Sequence, residues 1–273
     1  MNFFTGVKIG IVSHFKAVEL IIRHNLYFYF LIPVGLSIGI YFWGEYMFEN
    51  FIKNFDFSKI QQLEYETLNK SDQLTDMLIL GIELTMVYVI VKLWSYLVLN
   101  LLTPLNTFLS TKTDTVITGN VYPITTKQYI DDTFRAWRIM GKNMVIWMIL
   151  LGVWYLIAKL LYLFIDGETV GIISGIVQPA IGFYFFGFSL LDYTSERRRL
   201  KQRESVIFVK KNLGLTITLG AIYYFFFRIP EYGTYIGVVF APIIGVIAAT
   251  IATDKVIKGG LKSNPYGVSK KEK

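Results

Sequence analysis

Apolar residues in this chain gather into runs long enough to cross a bilayer, and the charged residues gather between them. About 20 mostly apolar residues let a helix cross roughly 30 Å of hydrocarbon. Six segments are of that order: about 26–43, interrupted by Pro33; 77–102; 144–165; 170–191, with Pro179 inside; 213–229; and 234–253, with Pro242 inside. Proline within a spanning helix frees a carbonyl that a neighbouring helix or water must satisfy. Ahead of these runs, Phe4, Val7, Ile11, Phe15, Val18 and Ile22 recur at the three-and-four spacing of one helix face, with Lys8, Lys16 and Glu19 elsewhere. A helix over 3–22 therefore lies in the membrane interface or packs on the protein's own cytoplasmic side.

Two polar stretches also read as helices. Over 127–143, Ile130, Phe134, Trp137 and Met144 make an apolar stripe, Asp131 stands four residues before Arg135, and Thr125 or Thr126 is placed to cap the start. Over 195–211 a strongly basic helix is expected, capped by Thr194 or Ser195. The expected fold is an all-α membrane protein: one integral domain over 1–257, and a disordered basic tail over 258–273.

Charge orients the segments. Residues 44–76 hold seven acids against three lysines, whereas 103–143 hold Lys112, Lys127, Arg135, Arg138 and Lys142. Residues 192–212 hold Arg197, Arg198, Arg199, Lys201, Arg203, Lys210 and Lys211. Basic loops stay on the cytoplasmic side. Both termini, 103–143 and 192–212 are thus expected on the cytoplasmic side of the plasma membrane of a bacterial-type cell. The third and fourth segments, and the fifth and sixth, form helical hairpins with both ends on the basic side. Charge leaves open whether these hairpins cross fully or dip in.

Composition narrows the chemistry. Of 273 residues 53% are apolar and 17% charged, and the net charge of +7 follows the loops rather than a nucleic-acid-binding face. The 16% aromatic content suits helix ends at the headgroup level. The absence of cysteine excludes disulfides, thiolate zinc sites and a cysteine nucleophile, and two histidines do not furnish a multi-histidine metal site. No secretory signal pattern, nucleophile elbow, phosphate-binding glycine loop or His-Glu-x-x-His motif is present, so no enzyme activity and no cofactor are expected. Ionisable residues inside apolar runs are costly and mark functional positions or helix-end anchors. They are Glu83, Lys92, Lys159 and Arg228, of which Lys92 is deepest. Lys92 lies nine residues from Glu83, on the opposite side of a helix.

Particular residues carry a family resemblance. Pro104-Leu105-Asn106-Thr107-Phe108-Leu109 followed by Thr118-Gly119, Arg135-Ala136-Trp137, Leu191-Asp192-Tyr193, Leu31-Ile32-Pro33, Ile229-Pro230 and Ala241-Pro242 resemble, in order, motifs of the CysZ sulfate-transporter family, which belongs with the etoposide-induced-protein superfamily. The resemblance implies an amphipathic first helix, two long transmembrane helices, two partially inserted hairpins and a homo-oligomer. It also implies sulfate or a similar small anion as the permeant.

That family binds sulfate near a Gly-Leu-Arg turn before the first long helix. Here the turn reads Asn25-Leu26-Tyr27, followed by Phe28, and the nearest cation is Arg23. Thr111 and Ala136 stand where the family tends to have Glu, while Arg135 and Asp114 remain. The candidate anion-binding residues are accordingly Arg23, Asn25, Leu26, Tyr27, Arg135 and Arg138. The candidate pore or intramembrane polar residues are Glu83, Lys92, Asn106, Asp114, Lys159 and Asp192. Two functions follow: anion transport, or a non-transport role in shaping membranes or in assembly. Membrane lipids are expected partners in either case, and nucleic acid is not.

Overall fold

The computed structural model describes residues 1–47, 98–119, 126–197, 202–229 and 233–259. Every regular element among them is helical. In chain order they are α1 (Phe3–Arg23), a 3-10 helix (Leu26–Phe30), α2 (Leu31–Met47), α3 (Thr103–Thr118), α4 (Thr126–Leu161), α5 (Gly167–Arg197), α6 (Gln202–Lys211), α7 (Leu213–Phe226) and α8 (Gly233–Gly259). The second apolar segment lies outside the described residues except for its last few, and so do Glu83 and Lys92. The tail beyond Gly259 lies outside them as well.

Three helices among the described residues, 129–161, 167–195 and 236–258, are long and apolar enough to cross a membrane. Two bent pairs would add to them: α1 with 26–39, at 104°, and α6 with α7, at 91°. The chain is an all-α membrane protein.

α8 occupies the centre. It packs against α1, α2, α3, α5 and α7. Its Ala241, Val246, Ile247, Ala248, Ala249 and Ala252 are buried. Small residues suit this position, because lipid supplies no hydrophobic drive between helices and close backbone approach must supply the packing. The tightest crossing is between α5 and α7. A methyl group on Gly187 would overlap the Thr216 carbonyl oxygen, and one on Gly220 would overlap that of Phe183. The two backbones touch there, and only glycine fits. Aromatic rings fill the space beside the crossing, with Phe186 5.6 Å from Trp147 and 5.1 Å from Tyr223.

α1 turns its large apolar residues outward. Phe4 and Phe15 are 78% and 74% exposed, and Ile11, Val18 and Ile22 are exposed with them. The buried face is instead Gly6, Gly10, Ser13, His14, Ala17 and Ile21, set against α7 and α8. The stripe that identifies the helix therefore faces away from the protein, and the small-residue face packs against it. The helix packs on the protein, as one of the two alternatives has it.

Other elements differ from expectation for local reasons. The helix expected over 127–143 and the apolar segment after it are one helix of 36 residues, α4, because nothing stronger than Gly141 interrupts them. At 1.5 Å per residue it is about 54 Å long, well beyond the hydrocarbon thickness. Thr194 and Ser195 do not cap a new helix. Their hydroxyls donate back to the Leu191 carbonyl, at 2.7 Å and 3.2 Å, and α5 continues to Arg197. The real cap at that level of design is Asp166, which precedes α5. Its carboxylate accepts the Thr169 amide at 2.8 Å and the Thr169 hydroxyl at 2.7 Å. These bonds hold the carboxyl below its ordinary range, with the backbone amide first.

Candidate functional site

α3 is the most polar of the buried helices. Its Thr103, Asn106, Ser110 and Thr113 recur at three-and-four spacing and all lie in the interior, joined by Thr107 and Asp114. In water such a face would be exposed. Here it meets hydroxyl-bearing faces of α5 and α8, because buried polar groups require partners.

The hub is Tyr193 on α5. Its phenol donates to the Leu99 carbonyl at 3.1 Å and lies 3.1 Å from the Thr103 hydroxyl, while Asn106 donates to it at 3.4 Å. One turn further along α3, Ser110 donates to the Tyr193 carbonyl at 3.3 Å and lies 3.3 Å from the Thr250 hydroxyl of α8. Thr194 meets Thr253 at 3.1 Å. The result is a polar seam running from residue 99 to the end of α3, walled by α5 and α8. Three of its atoms find no hydrogen-bond partner among the described residues: the Asn106 carbonyl oxygen and the hydroxyls of Thr107 and Thr113.

Asp192 stands at the edge of the seam, buried, with the Ser205 hydroxyl of α6 donating to it at 2.7 Å. Arg135 of α4 acts on it electrostatically. α6 is thereby tied to α5 through the Asp192 carboxyl group, and it meets α7 at a bend of 91°.

The second feature is a cavity of about 370 Å³ between α1, α3 and α8. Ile117 of α3 lines it, one turn beyond Thr113 and Asp114, and so do Ile251 and Asp254 of α8, next to Thr250 and Thr253. The cavity therefore stands at the end of the seam. Lys16, Glu19, Arg23, His24 and Lys255 supply its charge.

The residues singled out in sequence fall into separate places. Asn106, Asp114 and Asp192 are brought into or beside the seam, with Arg135 near Asp192. Arg138 is exposed on α4. Lys159 is also exposed, its ammonium 5.6 Å from the centre of the Tyr155 ring, away from the seam. Arg228 is exposed and donates through Nε to the Tyr224 phenol at 2.8 Å, at the end of α7. Arg23 lines the cavity but is paired with Glu19 at 2.8 Å.

Asn25 forms the left-handed corner between α1 and the 3-10 helix, at φ 54°, a conformation asparagine tolerates better than most residues. Leu26 is buried beneath that corner and Tyr27 is exposed. The turn expected to hold an anion is thus a corner without a cation of its own. Sequence reasoning passed over Lys16, Lys255, Ser110, Thr250, Thr253 and Ser205. The hydroxyl repeat along α3 was the available signal for the seam. The lysines gave none, since their meeting depends on how α1 lies across α8. No group of three metal-ligating side chains occurs among the described residues.

A family profile described as Sulfate transporter CysZ/Etoposide-induced protein 2.4 matches residues 13–242, most of the chain. No curated protein matches it at a significant level.

Proposed function

Since the chain belongs to the Sulfate transporter CysZ/Etoposide-induced protein 2.4 family, we propose that it moves sulfate or another small oxyanion across a bacterial plasma membrane, along the seam of α3. The observation that carries this reading is the buried run of Asn106, Ser110 and Thr113: Asn106 and Ser110 have hydroxyl partners on α5 and α8, and the hydroxyls of Thr107 and Thr113 find no partner among the described residues. Hydroxyl and amide donors replace part of an anion's hydration shell, and a buried polar path serves that end where an apolar core would not. Asp114 and Asp192 put carboxyl groups beside the same path. An anion passing them is repelled unless they carry a proton or a counter-charge such as Arg135, so proton coupling fits the site. Both termini face the cytoplasm, lipids surround α4 and the outer face of α1, and copies of the chain associate. Radiolabelled sulfate flux into proteoliposomes, with thiosulfate, molybdate and phosphate as competitors, tests the reading. Flux above that of empty liposomes is expected.

A second reading, membrane shaping without transport, rests on α1. Its apolar stripe is turned outward and the chain bends by 104° after it. A helix held flat in one leaflet expands that leaflet alone. Vesicle deformation without solute flux would favour this reading.

A further inference from the structure

The cavity between α1, α3 and α8 holds more positive charge than its own acids neutralise. Glu19 is taken by Arg23 at 2.8 Å and Asp254 by Lys258 at 2.8 Å. Lys16 of α1 and Lys255 of α8 remain, and neither forms an ion pair among the described residues. They lie close enough for Lys16 to act on Lys255 as a like charge. Two cations facing one partly enclosed space repel each other, and a doubly charged anion between them removes that cost.

The size and walls of the cavity specify more than a charge. Its volume of about 370 Å³ is several times that of a tetrahedral ion and falls in the range of sites for small organic molecules. Leu20, Ile117 and Ile251 form an apolar wall beside the lysines. A doubly charged head and an organic body would match both the lysines and this wall. A phosphomonoester meets that description, carrying close to two charges at neutral pH, whereas a sulfate ester carries one.

The direction of access follows from the helical wheel of α1. With 3.6 residues per turn, the outward apolar stripe (Phe4, Ile11, Phe15, Val18, Ile22) and the cavity residues (Lys16, Leu20, Arg23) lie on opposite flanks of the buried face. When the stripe rests in lipid, the cavity opens to water. This geometry favours a soluble ligand over a lipid headgroup.

We propose that this cavity binds a small organic phosphomonoester from the aqueous side, its head held by Lys16 and Lys255 and its body against Leu20, Ile117 and Ile251. The site stands at the water end of the α3 seam, and its occupancy does not depend on whether the seam transports anything.

Calorimetric titration of the purified full chain in detergent tests the proposal, with phenyl phosphate, phenyl sulfate and inorganic phosphate as probes. Phenyl phosphate should bind at least tenfold more tightly than either of the others. Lys16→Gln and Lys255→Gln should each weaken it tenfold or more, while Lys112→Gln, an exposed lysine outside the cavity, should leave it unchanged. Equal affinity for inorganic phosphate, equal affinity for phenyl sulfate, no binding of phenyl phosphate, or binding unaltered in both glutamine variants would each overturn it. If a glutamine variant does not fold, acetylation of the wild-type chain decides the matter: phenyl phosphate should protect Lys16 and Lys255 from the reagent, and a lack of protection overturns the site.

Discussion

The side-chain amide of Asn106 donates to the phenol oxygen of Tyr193 across 3.4 Å, and that phenol in turn donates to the Leu99 carbonyl at 3.1 Å. One hydroxyl thus joins α5 to α3 and to the last residues before it. Tyr193→Phe keeps the ring and removes the hydroxyl, leaving buried donors and acceptors short of a partner. The expected cost is about 1–3 kcal/mol, read as a lower melting temperature of the detergent-purified protein. An unchanged melting temperature would show that the hub contributes little.

The α5–α7 crossing makes a sharper prediction. Gly187→Val or Gly220→Val forces a side chain into a backbone carbonyl of the facing helix. Overpacking in a side-chain environment costs about 1–3 kcal/mol. Backbone has less room to move, so the loss should reach or exceed the upper end of that range. Gly152→Ala, on α4, meets open space within 4 Å and should fold as the wild type does. Size-exclusion profiles and melting curves compare the three.

How much of this was legible from residue order differs by element. Helix positions followed from the apolar runs, because the length needed to span hydrocarbon is set by the helix rise. The orientation of α1 did not follow. In a water-soluble protein the stripe of Phe4, Ile11, Phe15 and Val18 would face the core, but here these large apolar side chains face outward and Gly6, Gly10 and Ala17 pack within. Periodicity locates a face without saying which solvent it meets. Asn106, Asp114 and Asp192 were picked out as single residues, but their gathering with Tyr193, Ser110 and Thr250 depends on helix crossings remote in sequence. Arg23, a candidate anion ligand, also pairs with Glu19, a contact the residue order did not single out. Glu83 and Lys92 lie outside the described residues.

Acid should loosen the attachment of α1. His14 is buried against the bundle, its Nδ1–H donating to the Gly10 carbonyl at 2.9 Å. Burial pushes its pKa below the ordinary 6.5, and the backbone bond opposes this only in part. The folded state therefore resists a proton that the unfolded chain accepts near pH 6.5. Stability is complete above that pH and falls as pH drops from 6.5 toward the lower folded value. His14→Gln should flatten this part of the stability curve. An equal slope in the variant and the wild type would assign the effect to other groups.

Ser205 and Asp192 bind α6 to α5. Ser205→Ala leaves a buried carboxyl group with one hydrogen-bond partner fewer, and an unsatisfied buried polar group costs about 1–3 kcal/mol. The variant should open α6 to limited proteolysis sooner than the wild type. Equal digestion rates would show that α6 is held by other contacts.

Transport along the α3 seam is best tested by sulfate flux into proteoliposomes of the wild type, of Asn106→Leu and of Thr113→Val. The wild type should exceed empty liposomes, respond to competing oxyanions and quicken as the pH of the supplying side falls, while both variants fold normally and carry at least tenfold less. Wild-type flux equal to that of empty liposomes for every oxyanion tried, or full flux in both folded variants, would contradict it.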